Sequence, residues 1–301
     1  MKPKNFIFLV IMAFVTLLYA PIVSATPVLG TAESFAVLGA SAVSMTGPTV
    51  ITGDLGISPG LAAAITIVPP LTITGTIYAG PVTPDPTAQL AQADALTAYN
   101  ALLGFGGTGT SLSGQNLGSR TLPPGVYSSS DATALLNGPL VLDAQGVDGA
   151  VWIFKLDAAF TTGTSNGSSV TLIDPGPLND GKDDGVFWLI GTSATLGNST
   201  AFEGNILAVT SITLDPSATI ENGRAIALNA AVTLSSTNTI ENVCPNGGPG
   251  FSGGVEFVNG ELVPVGGGPG PGGAVPEPAT MFLLGSGLLG LAGFARKKFK
   301  K

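Results

Sequence analysis

Between residues 26 and 245 the chain alternates short apolar runs with polar positions and turns, a pattern typical of β-strands. The runs are rich in Val, Ile, Leu and Thr, and turns such as NGP, DPSAT and ENG separate them. This spacing predicts a mostly β domain over residues 26–245.

One segment departs from the strand pattern and predicts an α-helix over about residues 86–103. Asp85 is suited to the N-cap and Pro86 to the first helical position, and Gly104 closes the Ala-rich stretch that follows. Apolar residues at helical spacing predict one face that lies against a hydrophobic surface. They are Leu96, Tyr99 and Leu103, with Leu90 and Ala93 beside them.

A small-x-Thr-Leu pattern occurs four times, at residues 169–172, 193–196, 211–214 and 231–234. Its Thr residues lie 24, 18 and 20 positions apart, and the longest gap contains the extra loop PGPLNDGKDDG. A period of about 18 to 20 residues is typical of stacked β-coils. The triplets ITG at 51–53 and 73–75, on the other side of the predicted helix, are 22 apart. We therefore expect a β-solenoid whose coils come from both sides of the helix, with the helix packed alongside.

Because side chains alternate across a strand, the small and Thr positions of this repeat should point outward while the intervening apolar residues point inward. Adjacent coils stack about 4.8 Å apart, so the outward side chains would form a flat grid of hydroxyl and methyl groups. Such a grid has no base to activate a hydroxyl, but it can hold water in a regular array. The alternative is that Thr is there only because it forms strands and stacks well.

Composition narrows the possible functions. The chain has no His, so the commonest general base and metal ligand is absent, and we predict no catalytic residues, no metal site and no cofactor. Residues 26–278 contain four basic and 19 acidic residues, which give a formal charge of −15. This negative charge disfavours binding to nucleic acid. Cys244 is the single cysteine, so it is either a free thiol or forms an intermolecular bond.

Both termini are expected to form apolar helices separate from the domain. Residues 1–25 have the basic start, apolar core and small-residue end of a signal peptide, with cleavage after Ala25. Residues 246–275 are rich in Gly and Pro and predict a flexible linker. Residues 279–295 are apolar and precede a basic tail, which predicts a transmembrane helix.

Several segments of the domain resemble the microbial ice-binding protein family. They include LGTAESFAVLG from Leu29, ITGDLGISPG from Ile51, LPPGVYSSS from Leu122, AVWIFKL from Ala150 and GVFWLIGTSATLG from Gly185. The resemblance covers about residues 28–243 in the family's order. It implies a right-handed, discontinuous β-solenoid of triangular section with one long helix alongside and a capping segment near residues 56–71. It also implies adsorption to ice or ordered water, with inhibition of recrystallisation.

The family's ice-binding surface often carries a Thr-small-x-Thr/Asn motif, which residues 192–195 and 210–213 match with Ser as the small residue. In the following coil Asn229 falls one position too early for this motif. Together with the outward positions of the repeat, the candidate ice-binding residues are Thr171, Thr192, Ser193, Thr195, Thr210, Ser211, Thr213, Asn229, Ala231 and Thr233.

Residues 276–301 resemble a PEP-CTERM sorting signal, with Pro276, Glu277 and Pro278 as its motif. This implies signal peptidase and an exosortase as export partners, transient membrane insertion through 279–295, and a cell-surface, matrix or secreted location. A plain membrane anchor is the alternative. The sorting signal would equally suit a non-catalytic matrix or adhesion module.

Two further alternatives have weaker support. A polysaccharide-active β-helix enzyme needs clustered carboxylates beside a basic residue, whereas the basic residues of the domain are scattered. The acidic loop at residues 179–185 misses the spacing of an EF-hand, so an exposed turn is favoured over a calcium site.

Overall fold

The computed structural model describes residues 25–163, 167–175, 184–243 and 251–265. This part of the chain is mostly β, with parallel sheets and one α-helix, as in a β-solenoid. The coarse fold prediction is therefore confirmed. Residues 1–24 of the predicted signal peptide and the predicted apolar terminal helices lie outside the described residues, whereas Ala25, the last residue of that predicted peptide, begins the first strand.

The helix α1 spans Pro86–Gly104, and short 3-10 helices span Gly30–Ser34 and Ala62–Ala64. In chain order the strands are β1 Ala25–Pro27, β2 Phe35–Gly39, β3 Val43–Thr46, β4 Thr49–Thr52, β5 Asp54–Ile57, β6 Ile65–Val68, β7 Leu71–Ile73, β8 Ile77–Tyr78, β9 Thr110–Ser111, β10 Arg120–Leu122, β11 Gly125–Ser129, β12 Thr133–Leu136, β13 Pro139–Asp143, β14 Val151–Leu156, β15 Ala159–Thr162, β16 Ser169–Ile173, β17 Gly185–Ile190, β18 Ala194–Leu196, β19 Ala201–Ala208, β20 Ile212–Leu214, β21 Thr219–Ala227, β22 Val232–Leu234, β23 Asn238–Glu241, β24 Val255–Val258 and β25 Glu261–Pro264.

Three series of parallel strands run along the molecule. The threonine face is β12-β15-β18-β20-β22-β3-β6. The acidic face is β10-β13-β16-β19-β21-β23-β4-β7, and the helix face is β9-β11-β14-β17-β19-β21-β2-β5-β8. The long strands β19 and β21 contribute their first halves to the acidic face and their second halves to the helix face. Each complete coil thus passes from the threonine face to the acidic face and then to the helix face.

The coils do not stack in sequence order. Strand β22 pairs with β3, and β21 pairs with β2, so the last coil in sequence stacks on the first. The two ITG echoes also align, with Ile51 opposite Ile73. Strands from both sides of α1 therefore share the same sheets, as the sequence predicted.

The long strand β19 bends at Gly204, where it crosses from the acidic face to the helix face. Its pairing with β21 shifts register between Glu203 and Asn205. Gly204 has φ +103°, and a Cβ there would lie 2.6 Å from Val186 Cγ1. A side chain at Gly204 would therefore be strained as well as crowded.

The core lies between the three faces and is filled by aromatic rings from each of them. Phe154 and Trp188 from the helix face stack with ring centroids 3.9 Å apart. Phe160 of the threonine face and Phe202 of the acidic face lie 5.2 and 5.0 Å from the Trp188 ring. All four side chains are fully buried, so this cluster fixes the backbone on which the outward residues sit.

Helix α1 begins as predicted, but it buries a different face. The Asp85 carboxylate accepts hydrogen bonds from the Thr87 and Ala88 amides, as an N-cap should. The buried side is mainly a stripe of alanines, whereas Leu96 and Leu103 of the predicted face are 49% and 43% exposed. The predicted apolar face is therefore wrong for its leucines, although its Tyr99 is buried. Small side chains on the buried side let the helix lie close against the helix face. The buried residues are Ala88, Ala91, Ala95, Ala98, Tyr99 and Leu102.

A buried arginine links the first and last coils. The Arg224 guanidinium donates to the Glu33 carbonyl through Nε at 3.1 Å and through a terminal nitrogen at 2.6 Å, and it also donates to Asn205 Oδ1. The Asn242 amide donates to the same Glu33 carbonyl at 2.9 Å. These bonds connect the start of the chain to β21 and to the segment after β23, where the chain order is interrupted.

Two segments differ from their sequence-based expectations. Residues 255–264, inside the predicted flexible linker, form the β24–β25 hairpin, which pairs with β1 in an antiparallel sheet. Alternating apolar residues in VEFV and ELVP give these strands a buried side despite the surrounding Gly. Residues 65–68, within the capping segment expected near residues 56–71, instead continue the threonine face as its end strand, and Leu71 at the end of that segment begins β7 of the acidic face.

Candidate functional site

A row of hydroxyl side chains crosses the threonine face at one register. Each strand contributes the outward residue at the same position, and neighbouring strands place these residues directly opposite one another. Six of the seven are hydroxyl residues, and a Leu occupies one end. In order across the face the row is Leu135, Thr161, Thr195, Thr213, Thr233, Ser44 and Thr66. We call it the hydroxyl row.

The residues flanking the hydroxyl row in the sequence point into the core. Ala194 and Leu196 flank Thr195, and Ile212 and Leu214 flank Thr213, and all four are fully buried. The Thr side chains have little χ1 freedom because they are β-branched. Their hydroxyl and methyl groups are therefore held in place by the packing below them.

Two residues before Thr195, Thr213 and Thr233, directly ahead of β18, β20 and β22, a second column carries small side chains. Ser211 Oγ donates to Ser193 Oγ at 2.9 Å, and Ala231 follows on the next coil. Because its side chains are small, this column keeps the surface low beside the hydroxyl row. The two columns are about 6.6 Å apart, which is the separation of residues two apart on a strand. As the repeat predicted, the structure thus brings these two columns together, with Thr195, Thr213 and Thr233 beside Ser193, Ser211 and Ala231.

The remaining motif residues lie at the turn that leads into the threonine face. Thr192 and Thr210 are exposed and adjacent, with the Thr210 amide donating to the Thr192 carbonyl at 2.8 Å. The chain advances four positions from Ala208 to Ile212 but five from Ala227 to Val232, although the two segments are paired at both ends.

This one-residue insertion explains the early position of Asn229. Both the Asn229 side chain and the following backbone bond to the preceding coil: Asn229 Nδ2 donates to the Val209 carbonyl at 2.8 Å and the Ala230 amide donates to the Thr210 carbonyl at 3.0 Å. Asn229 is exposed and covers a carbonyl at the turn. Thr233, four residues later, keeps its register in the hydroxyl row.

The structure separates Thr171 from the other candidates. Thr171 lies on β16 of the acidic face, opposite Val141 of β13, and not on the threonine face. Its spacing of 24 to Thr195 is therefore not a coil period. The coil neighbour of Thr195 is Thr161, because the intervening segment includes strands of both other faces.

Sequence reasoning missed three members of the hydroxyl row, which are Ser44, Thr66 and Thr161. Their local sequences are AVSM, AITI and AFTT, so each keeps the small-apolar-hydroxyl order but lacks the final Leu. A search for that shorter pattern would have found all three.

The other faces differ from the threonine face in charge and cover. Helix α1 packs on the helix face, where its buried alanines meet Ile153, Leu189 and Leu207. The acidic face has Glu203 opposite Glu221, with Glu241 on the next strand. Burial, together with the smaller effect of the Glu221 charge, raises the pKa of Glu203 to about 7 although the bond from the Leu172 amide opposes the shift. By contrast, the strands of the threonine face contain no ionisable residue.

The described residues offer no metal centre and no membrane span. Within them, no group of three or more Cys, Asp or Glu side chains could hold a metal ion. No helix in the described ranges is long and apolar enough to cross a membrane, and the predicted span at 279–295 lies outside those ranges. The acidic loop weighed as a calcium site also lies largely outside them.

Comparisons with known proteins match this geometry. The family model described as Ice-binding-like matches residues 37–241, and the model described as PEP-CTERM protein-sorting motif matches residues 274–297. An ice-binding protein of Nostoc sp. (strain HG1) is 41% identical over 299 residues, which cover 99% of this chain and 97% of that protein. An ice-binding protein of Flavobacterium frigoris (strain PS1) is 34% identical over 220 residues, 70% of this chain and 75% of that protein.

Solved structures give the same result. The crystal structure of an ice-binding protein from an Antarctic biological consortium matches with a TM-score of 0.62 at 35% identity, covering 73% of this chain and 93% of that chain. That of an ice-binding protein from the Antarctic ascomycete Antarctomyces psychrotrophicus matches with a TM-score of 0.60 at 35% identity, covering 72% and 98%. The family resemblance seen in the sequence is confirmed.

Proposed function

Because the chain belongs to the ice-binding-like family, we propose that it is an exported, non-catalytic protein that adsorbs to ice through the threonine face. We also infer that its coils form a right-handed, discontinuous solenoid of triangular section, which the three strand series around one core support. The matching relatives are named ice-binding proteins, and the solved structures named in this way share the fold of this chain.

The observation that carries the proposal is the hydroxyl row itself. Six hydroxyl residues stand on consecutive stacked strands, about 4.8 Å apart, on a backbone fixed by a dry core. Each hydroxyl can both donate and accept a hydrogen bond, and each Thr methyl restricts where neighbouring water can lie. Water held in a regular array on such a face can join the surface of an ice crystal, so the protein adsorbs and blocks growth there.

The choice of face follows from charge and access. Ionic groups bind water strongly in their own geometry, so the Glu-bearing acidic face is a poor template for ice. The helix face is covered by α1. The threonine face is uncharged along its strands and open, and we assign ice contact to its hydroxyl row and to the small column at Ser193, Ser211 and Ala231, with Thr192, Thr210 and Asn229 at its border.

We propose that signal peptidase and an exosortase process the chain during export, with transient membrane insertion through residues 279–295. The match to the sorting-motif model at residues 274–297 supports this route, with Pro276, Glu277 and Pro278 as the recognised residues. The domain would then reside at the cell surface, in the extracellular matrix or in the medium.

Two other functions fit less well. A non-catalytic matrix or adhesion module is supported by the sorting motif alone. An enzyme acting on polysaccharides would need a free basic residue beside carboxylates. However, the three basic residues in the described part of the domain are engaged, Arg224 with the Glu33 carbonyl, Lys155 with the Phe105 and Gly107 carbonyls, and Arg120 with Gln115.

Ice recrystallisation and single-crystal growth assays on the purified protein test the proposal. Thr213→Tyr should abolish most of the activity, because a bulky ring in the centre of the hydroxyl row prevents close approach to ice. Thr171→Tyr is the matched control: it makes the same change at an exposed Thr on the acidic face and should leave activity intact. A wild-type protein that leaves ice growth unchanged at high concentration would refute ice binding and favour the matrix module.

A further inference from the structure

The last residue of the domain that the structure describes is Val265, and we take its position as the exit toward the C-terminal segment. After the second strand of the β24–β25 hairpin the chain is again beside the start of the hairpin, where the Val265 amide donates to the Gly254 carbonyl at 2.8 Å. Immediately before the hairpin, Ser252 forms an antiparallel β-bridge with Gly185 at the start of β17. The Gly253 amide donates to the Asp184 carbonyl at 3.0 Å. The exit at Val265 therefore lies beside the start of β17.

This start of β17 is a corner of the coil. Strand β16 of the same coil belongs to the acidic face and β17 to the helix face, so the corner joins these two faces. In the next coil the same corner is the bend at Gly204, where Asn205 Nδ2 donates to the Phe251 carbonyl at 2.7 Å. The threonine face contributes no strand to this corner. In a coil with three sides, the corner between two sides lies opposite the third.

The exit segment is held firmly against this corner. Phe251 is 6% exposed and Val255 is 2% exposed, and Ser252 Oγ donates to Glu33 Oε1 at 2.7 Å. The other end of the chain lies on the same side of the molecule, since Thr26 in β1 pairs with Phe257 in the hairpin. The first and last described residues, Ala25 and Val265, therefore belong to the side of the domain formed by the hairpin and this corner.

We propose that the protein binds ice while it is still held through its C-terminal segment, with the threonine face directed away from the point of attachment, so that it holds a cell or its matrix against ice. This rests on the proposed ice binding and adds the working state and orientation. If the attachment point were beside the hydroxyl row, the row would face the cell or matrix to which the protein is attached and could not reach ice.

The test compares two attachment points that use the same chemistry. In a Cys244→Ser background of the exported chain, Val265→Cys places a biotin at the exit corner and Ser235→Cys places it beside the threonine face. Ser235 is next to Thr46, whose hydroxyl donates to the Ser235 carbonyl, so Thr46→Cys gives a second point on that side. Each protein is assayed free in solution and then on streptavidin beads, whose retention on an ice surface is counted.

Beads held at Val265 should stay on ice, and beads held at Ser235 or Thr46 should fall to the retention of bare beads. Adding Thr213→Tyr to the Val265 beads should abolish their retention. If the free proteins inhibit recrystallisation but the Val265 beads are not retained, the attached working state is wrong while ice binding stands. Equal retention from both sides would overturn the orientation. Inactivity of the free Val265→Cys protein, whose label is at the exit corner, would refute ice binding itself.

Discussion

Replacing Glu203 with Gln should stabilise the protein at alkaline pH and have almost no effect in acid. The Glu203 carboxyl is largely buried beneath the acidic face, where burial and the Glu221 charge raise its pKa from the ordinary value of 4.5 to about 7. Gln has nearly the same shape and its side-chain oxygen can still accept the 2.8 Å bond from the Leu172 amide. The substitution therefore removes the charge and keeps the contact.

The sign and size follow from proton linkage. Below pH 4.5 the carboxyl is protonated in both the folded and the unfolded chain, so its charge costs nothing. Between pH 4.5 and about 7 the unfolded chain releases the proton that the folded chain retains, and the free energy of unfolding falls as the pH rises. Since one pKa unit corresponds to about 1.4 kcal/mol, the full loss above pH 7 is about 3 kcal/mol.

Urea unfolding of wild type and Glu203→Gln from pH 4 to 9 measures this difference directly. The variant should be more stable by about 3 kcal/mol at pH 8.5 and equal to wild type at pH 4. Glu241→Gln is the control, because this exposed carboxylate lies on the same face and should change stability by less than about 0.5 kcal/mol. A stability difference between Glu203→Gln and wild type that does not grow with pH would refute the reasoning.

Four other substitutions test the fold and the site. Thr161→Tyr should reduce ice recrystallisation inhibition although Thr161 lies outside the repeated motif, because it belongs to the hydroxyl row; unchanged activity would exclude it. Ala98→Leu should lower the free energy of unfolding by about 1–3 kcal/mol by overpacking the close α1 contact, whereas Leu96→Ala should cost little. Arg224→Ala should cost about 3 kcal/mol in the same urea assay because it removes the buried donor to Asn205 Oδ1 and both guanidinium bonds to the Glu33 carbonyl. Lys155→Met should increase hydrogen exchange at the end of α1, since the ammonium group bonds to the Phe105 and Gly107 carbonyls there.

Local signals in the sequence predicted the elements well. Asp85 and Pro86 fix the start of α1 because an N-cap and a proline act within one turn of the chain. Thr195, Thr213 and Thr233 align as predicted because their coils differ in length by little, and a repeated strand pattern reports that period directly.

The errors came from features that depend on the whole coil. Thr171 carries the same local pattern as Thr195, but which of three faces a strand joins depends on the length of every turn before it. The helix buries its alanines because the distance to the helix face, and not the hydrophobicity of the exposed Leu90, decides which side fits. The raised pKa of Glu203 likewise arises from burial in the folded coils and from the charge of Glu221 on the neighbouring strand.

The hydroxyl row depends on the junction between the first and last coils. Thr233 and Ser44 are neighbours in the row only because β22 pairs with β3, and the adjoining pair Thr46 and Ser235 is 189 positions apart in the sequence. Contacts of such separation form late, after the chain has closed a long loop. If this junction opened, the row would end at Thr233, and Ser44 and Thr66 would separate from the rest. Because Arg224 and Asn242 hold the junction through the Glu33 carbonyl, these buried bonds support the full length of the hydroxyl row.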